Sequence, residues 1–148
     1  MDINTLSAVD AAYLAGLIDG EGTITLSRKH KDENRQLSVS ISNTEHQLLE
    51  FAITKIGAGK ITRKRTTKIN HTSSFTYAIY NRQALALIEQ IEPFLRSYKR
   101  MRAKLILKDY IALTPRNGKY SPEILQARKR FETTVLEIKA NSIGTIPQ

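Results

Sequence analysis

Cysteine is absent from the chain. That excludes disulfides, thiolate nucleophiles and cysteine-ligated zinc together. Histidine is scarce: His30, His46 and His71 stand far apart in sequence and make no metal-ligand spacing. No apolar run approaches the roughly 20 residues of a membrane span, so no membrane partner is expected. The opening MDINTLSAVD has no basic segment followed by an apolar one, so no secretion signal is expected. Without one, the Asn70-His71-Thr72 sequon carries no weight. Low-complexity segments and linkers are also missing, which favours a single domain spanning residues 1–148.

Acids are missing from two long tracts. The chain carries 23 Lys and Arg against 14 Asp and Glu, for a net charge of +9. Between Glu50 and Glu89 there is no acid but there are seven bases: Lys55, Lys60, Arg63, Lys64, Arg65, Lys68 and Arg82. The acid-free run from Arg96 to Lys108 holds six more. Such concentration predicts a face that attracts polyanions. An acidic membrane surface fits less well, because the densest bases sit in strand-like rather than amphipathic helical sequence.

What is present is patterned. Residues 10–20 read as a helix with Val9, Tyr13, Leu14, Leu17 and Ile18 as an apolar girdle. In TITLSRK, Ile24 and Leu26 alternate with Thr23, Thr25, Ser27 and Lys29. In QLSVSIS, Leu37, Val39 and Ile41 alternate with Gln36, Ser38, Ser40 and Ser42. Period-two alternation of this length predicts half-buried strands, here joined as an antiparallel hairpin through RKHKDEN. Thr44 is the candidate cap of a helix over 45–56, stopped by Gly57 and Gly59. A second hairpin is expected from KITRKRTTK and SSFTYAIY, with Phe75, Tyr77 and Ile79 facing inward. Asn81 is the candidate cap of a helix to Glu92, and further helices are expected over 99–112 and, started by Ser121-Pro122, over 121–140. The tail 141–148 reads as loose. The fold class is α+β: a four-stranded antiparallel sheet with helices on one face, and a polar, basic opposite face suited to a nucleic-acid groove.

LAGLIDGEG, Leu14 to Gly22, puts Asp19 and Glu21 at the negative pole of an apolar helix, where acids are unfavourable. Ala12, Gly16 and Gly20 recur every four residues along the same helix, although glycine weakens a helix by roughly 1 kcal/mol relative to alanine. Such a stripe admits close backbone approach. Its partner is the same helix of a second copy, giving a two-fold dimer, or an internal helix of the same chain. In a parallel pair, both copies of Glu21 would meet beside the axis, where divalent cations relieve their repulsion; Mg²⁺ typically takes one or two carboxylates plus substrate phosphate.

YLAGLIDGEG, Tyr13 to Gly22, closely resembles the signature of LAGLIDADG homing endonucleases, in particular the single-motif members that act as homodimers. The likeness extends through Leu37–Ser42, Ile56–Ile61 and Pro93–Leu107, within a core of about 10–113. It implies an αββαββα fold, a saddle-like sheet and cleavage of double-stranded DNA at a long, pseudo-palindromic target to leave 3′ overhangs. It implies that Glu21 is the essential metal-binding carboxylate, with the Gly20 carbonyl as a further ligand. Asp19 corresponds to the motif's other acid, placed with Ala12, Gly16 and Gly20 at the dimer interface. Lys99 corresponds to a basic residue near the scissile phosphate. Glu45 stands near a position where some relatives have glutamine, and Leu49 near one where they have arginine, so the water-positioning network departs from the pattern. Mg²⁺ is the implied cofactor, with Mn²⁺ as a substitute and Ca²⁺ binding without supporting cleavage. Expected base- and phosphate-contacting residues are Thr25, Ser27, Lys29, Gln36, Ser38, Ser40, Lys60, Thr62 and Lys64. The compartment is the one that holds the host genome, prokaryotic cytoplasm or organelle. The competing reading is a catalytically silent DNA or RNA binder of the same fold, such as a maturase with intron RNA as partner or a transcription regulator.

Overall fold

The computed structural model describes residues 2–64 and 73–140, with Lys64 described in its backbone alone. Arg65, Lys68, the Asn70–Thr72 sequon and the expected loose tail fall outside that range. Helix α1 (Ala8–Glu21) leads directly into strand β1 (Gly22–Ser27), which is followed by β2 (Gln36–Asn43) and α2 (His46–Ile56). Then come β3 (Lys60–Lys64), β4 (Ser74–Tyr80), α3 (Asn81–Ile91), a 3₁₀ turn (Glu92–Phe94), α4 (Tyr98–Asp109) and α5 (Pro122–Glu137).

The strands form one antiparallel sheet in the order β1-β2-β4-β3. Register sorts the side chains as the alternation requires. Ile24, Leu26, Leu37, Val39, Ile41, Tyr77 and Ile79 are all at most 1% exposed and pack beneath the helices. Phe75 shares their parity but is only partly buried, edge-on to His46 at 4.5 Å. α1 adds Leu14, Ala15 and Ile18, and α3 adds Ala84, Leu87, Ile88 and Ile91 at helical spacing. Each fully buried Leu or Ile contributes about 1.5–3 kcal/mol, so this layer carries the fold.

Local chemistry shifts several expected boundaries. α2 is not capped by Thr44: Glu45 occupies the cap position without a side-chain bond, and the Asn43 carboxamide oxygen accepts from the Glu45 N–H at 2.8 Å. Gly57 ends the helix in the left-handed region at φ 77°. Asn81 does not cap α3 either; Tyr80 takes that position and Asn81 is the first helical residue, at φ 55°. Left-handed backbone is tolerated by asparagine better than by most residues. α4 is capped by Ser97 and ends at Asp109, three residues short of the expected Ala112. Ser121 caps α5 as expected, and the helix stops at Glu137 rather than Ala140.

Gly22 explains why no loop separates α1 from β1. Its backbone is extended, and an added Cβ would lie 2.8 Å from Ile18 Cα and 2.8 Å from the Ser40 carbonyl oxygen. Both neighbours are backbone and cannot yield. Gly22→Ala is expected to cost about 1–3 kcal/mol as overpacking. At this chain length that lowers the melting temperature by roughly 2–12 °C. Thermal melts followed by circular dichroism measure it; an unchanged midpoint would show that the helix–strand junction is looser than this geometry.

Candidate functional site

The C-terminus of α1 has no basic residue in its own last turn. α4 supplies one. Lys99, 7% exposed, donates from Nζ to the carbonyls of Ile18 at 2.8 Å and Asp19 at 2.9 Å. A cation held on the last carbonyls offsets the negative end of the helix dipole. Desolvation lowers the Lys99 pKa, the nearby Asp19 charge raises it, and Arg102 lowers it again. Two of the three ammonium donors are thus engaged, and one remains.

Asp19 is at the wrong pole of α1 but at the right pole of α4. Its carboxylate accepts the Arg96 N–H at 2.8 Å, the Ser97 N–H at 3.1 Å and the Ser97 hydroxyl. Ser97 Oγ in turn accepts the Lys99 N–H at 3.2 Å. The acid therefore satisfies amides at a helix start, where negative charge is favoured. Its oxygens are used within the chain, as a brace between α1 and α4, rather than on the exposed glycine stripe.

Glu21 differs. It is the last residue of α1, exposed, and no described residue makes a hydrogen bond or ion pair with its carboxylate. The Gly20 carbonyl, one residue earlier, is too near the end to have an intrahelical partner. These are hard oxygen donors of the kind Mg²⁺ takes. One chain alone makes no cage: among the described residues no group of three or more metal-ligating side chains occurs.

The stripe expected along α1 is open. Val9 is 78% and Tyr13 48% exposed, and Ala12, Gly16 and Gly20 are exposed with them. A Cβ built on Gly16 or Gly20 meets no described atom within 4 Å, apart from the helix's own backbone. Packing of Gly16 against an internal helix is therefore excluded among the described residues.

On the sheet face away from the helices, register aligns four ladders. Ser27 stands beside Gln36; Thr25 beside Ser38 and Tyr80; Thr23 beside Ser40, Ala78 and Lys60; Ser42 beside Thr76 and Thr62. Lys64 continues this parity opposite Ser74. Of the expected contact residues, Thr25, Ser27, Gln36, Ser38, Ser40, Lys60 and Thr62 share this face, and Lys29 does not, because β1 ends at Ser27 and Lys29 lies in the following bend. Ser38 is only 8% exposed, between its two neighbours. Thr23 and Ser42, which the alternation puts on this side but which were not among the expected contact residues, join the face, as do Ser74, Thr76 and Tyr80. In SFTYAIY both parities carry aromatics, so alternation alone could not settle the outward set, whereas pairing with β2 does.

The second basic tract is not one face. Lys99 and Arg102 are buried; Arg102 donates to the carbonyls of Ile24 at 2.9 Å and Ile138 at 2.7 Å. Arg100 pairs with Glu92 at 3.0 Å. In the first tract Lys55 lies 3.5 Å from Asp10, and Arg82 donates to the Thr114 carbonyl at 3.0 Å. Glu45 is exposed at the start of α2, at the same end of the sheet as Glu21, since Gly22 pairs with Ile41 and β2 ends at Asn43. Leu49 is fully buried, so its position serves the core.

The order αββαββα, with a polar face opposite the helices, is that of DNA-cleaving enzymes of the homing-endonuclease type. The family model for LAGLIDADG endonucleases matches residues 14–113, and the chain belongs to that family. Among solved structures, the homing endonuclease I-CvuI in complex with its target in the presence of calcium is similar at a TM-score of 0.72 and 21% identity. That match covers 89% of this chain and 83% of that one. The same enzyme with a different target in the presence of magnesium, its DNA not cleaved, also gives 0.72, at 22% identity over 88% and 82%. The LAGLIDADG meganuclease I-AabMI bound to uncleaved DNA gives 0.62 at 25% identity, over 82% of this chain but 43% of its own length. No curated protein matches the sequence significantly. No helix among the described residues is long and apolar enough to cross a membrane.

Proposed function

We propose that the chain is a homodimeric, site-specific double-strand DNA endonuclease that needs a divalent cation, Mg²⁺ in the first place. The observation that carries this reading is Glu21: an exposed carboxylate, without a partner among the described residues, at the end of a helix whose other acid, Asp19, is consumed by the fold. A cation bound by Glu21 and the Gly20 carbonyl would neutralise phosphate charge and supply an activated water. The second copy's Glu21 and the phosphate would complete the donor set. Lys99 fixes the Ile18 and Asp19 carbonyls, keeps the helix end from fraying, and has one N–H left to direct at the developing charge. Glu45 is assigned to the neighbouring water.

The polar sheet face is assigned to the DNA groove. Thr25, Ser27, Gln36, Ser38, Ser40, Lys60, Thr62 and Lys64 supply donors, acceptors and positive charge, and Lys29 reaches the backbone from the bend beyond β1. The exposed stripe Ala12, Gly16 and Gly20 is assigned to the two-fold contact, and its openness supports a partner outside the chain. The target is then long and pseudo-palindromic, cut to leave 3′ overhangs.

Incubating supercoiled DNA bearing the gene's native insertion site with the protein and Mg²⁺ tests the assignment. Linear product with Mg²⁺ or Mn²⁺, and binding without cutting with Ca²⁺, is the expected outcome. Tight binding with no cutting under any of these ions would favour the silent binder instead. Electrostatics adds a second test. If 6–10 phosphates are contacted, affinity falls roughly 10³–10⁵-fold between about 50 and 200 mM salt. Fluorescence anisotropy across a salt series measures the slope; a flat response would remove the phosphates from the contact.

A further inference from the structure

α5 buries an ion pair whose ligand is the backbone of the β1–β2 loop. Arg128, 2% exposed, donates from Nε to Glu132 Oε2 at 3.0 Å and from Nη1 to the Leu113 carbonyl at 2.8 Å. Nη1 also reaches Thr114 Oγ1, and Nη2 donates to the Arg35 carbonyl at 2.5 Å. Glu132 Oε2 accepts the Arg35 N–H at 3.1 Å. Both polar groups of the Arg35 backbone are therefore held by side chains of one helix, as a partner strand would hold them. Arg35 itself lies outside β2 and has no strand partner in the ladder. Its guanidinium reaches back to the Leu26 carbonyl at 3.4 Å, closing the loop across the hairpin.

The next residue is Gln36, first in β2 and paired with Ser27 at the end of the sheet farthest from Glu21. Five residue steps lead from Gly22 to Ser27, roughly 17 Å of strand. That is about five base-pair steps along a duplex. A charge-assisted guanidinium fork is pre-organised and rigid, more so than the loop it grips. We propose that the buried Arg128–Glu132 pair positions Gln36 and the 28–35 loop on the outer part of each half-site, making α5 a determinant of DNA specificity. The pair touches no base; it acts through Arg35. This inference rests on the nuclease reading for its DNA readout but not for its structural one.

The test has two arms. In the unbound wild-type protein the Arg35 amide is expected to be protected from hydrogen exchange at least about 10-fold more than those of its loop neighbours Lys31, Asp32 and Asn34. In Glu132→Ala, and in the double variant Arg128→Met/Glu132→Leu, which replaces the pair by apolar side chains of similar size, that protection is lost while circular dichroism still reports a fold. Binding and cleavage are then measured over every single-base-pair variant of the target. Discrimination at base pairs read from the Gln36 end falls from about 5–150-fold per position to under about 3-fold, while that nearest Glu21 is retained. Arg35 exchanging as fast as its loop neighbours in the wild type overturns the proposal, as does unchanged outer discrimination in a folded variant. If the wild type neither binds nor cuts any duplex, the nuclease reading fails, and the exchange arm still decides whether the clamp exists.

Discussion

Glu21→Gln is expected to abolish strand cleavage and leave folding and DNA binding intact. The reason lies in what Glu21 does not do. It pairs with nothing among the described residues, so replacing it removes no internal bond, and its exposure means no cavity forms. Glutamine keeps the shape and an acceptor oxygen but not the charge that holds a divalent cation. If the cation contributes several kcal/mol to the transition state, its loss slows cleavage by at least about 10³-fold. Single-turnover cleavage and anisotropy binding, run on the same preparation, measure both halves. A variant that still cuts within about 10-fold of wild type would move catalysis away from α1. The contrast with Asp19→Asn sharpens the assignment. Asp19 accepts amide and hydroxyl bonds at the start of α4, so that change should lower the melting temperature, a cost Glu21→Gln does not incur.

Gly16→Leu is expected to separate assembly from folding. Within one chain a side chain at position 16 meets open space, and leaving glycine raises helix propensity by about 0.5–1 kcal/mol. The folded subunit should therefore be as stable as wild type or slightly more so. Across a two-fold contact, two leucines would be forced between backbones. At about 1–3 kcal/mol of overpacking each, the dimer dissociation constant rises roughly 30-fold to 10⁴-fold. Light scattering over a concentration series, paired with a thermal melt, gives both numbers. A dimer of unchanged strength would place the contact on another surface, and cleavage should then survive as well.

The legible parts of the molecule are those governed by period. In β1 and β2 the polar and apolar sets alternate without interruption, so hairpin, inner face and outer face all follow from spacing. The acids of the motif and the small-residue stripe stand out because each contradicts ordinary helix chemistry at its position. Less was legible where long-range contacts decide. Nothing near Asp19 in sequence says that Arg96 and Ser97, some 77 residues on, will absorb it. Lys99 and Arg102 look like part of a basic surface, but their buried head groups satisfy carbonyls of α1 and β1. Arg128 and Glu132 look like an ordinary solvated pair at helical spacing, and only the fold shows them closed over Arg35. Caps erred for a related reason. Thr44 and Asn81 have the right chemistry, yet the strand ends fix the backbone so that Glu45 and Tyr80 occupy the cap positions.

With helix and strand fused at Gly22, the helix end proposed to cut and the sheet face proposed to read DNA form a single rigid ruler. Re-engineering the ladder residues would change which letters are read without sliding the cut relative to them. Libraries built on this scaffold should therefore yield enzymes of new preference whose breaks all fall at one constant offset.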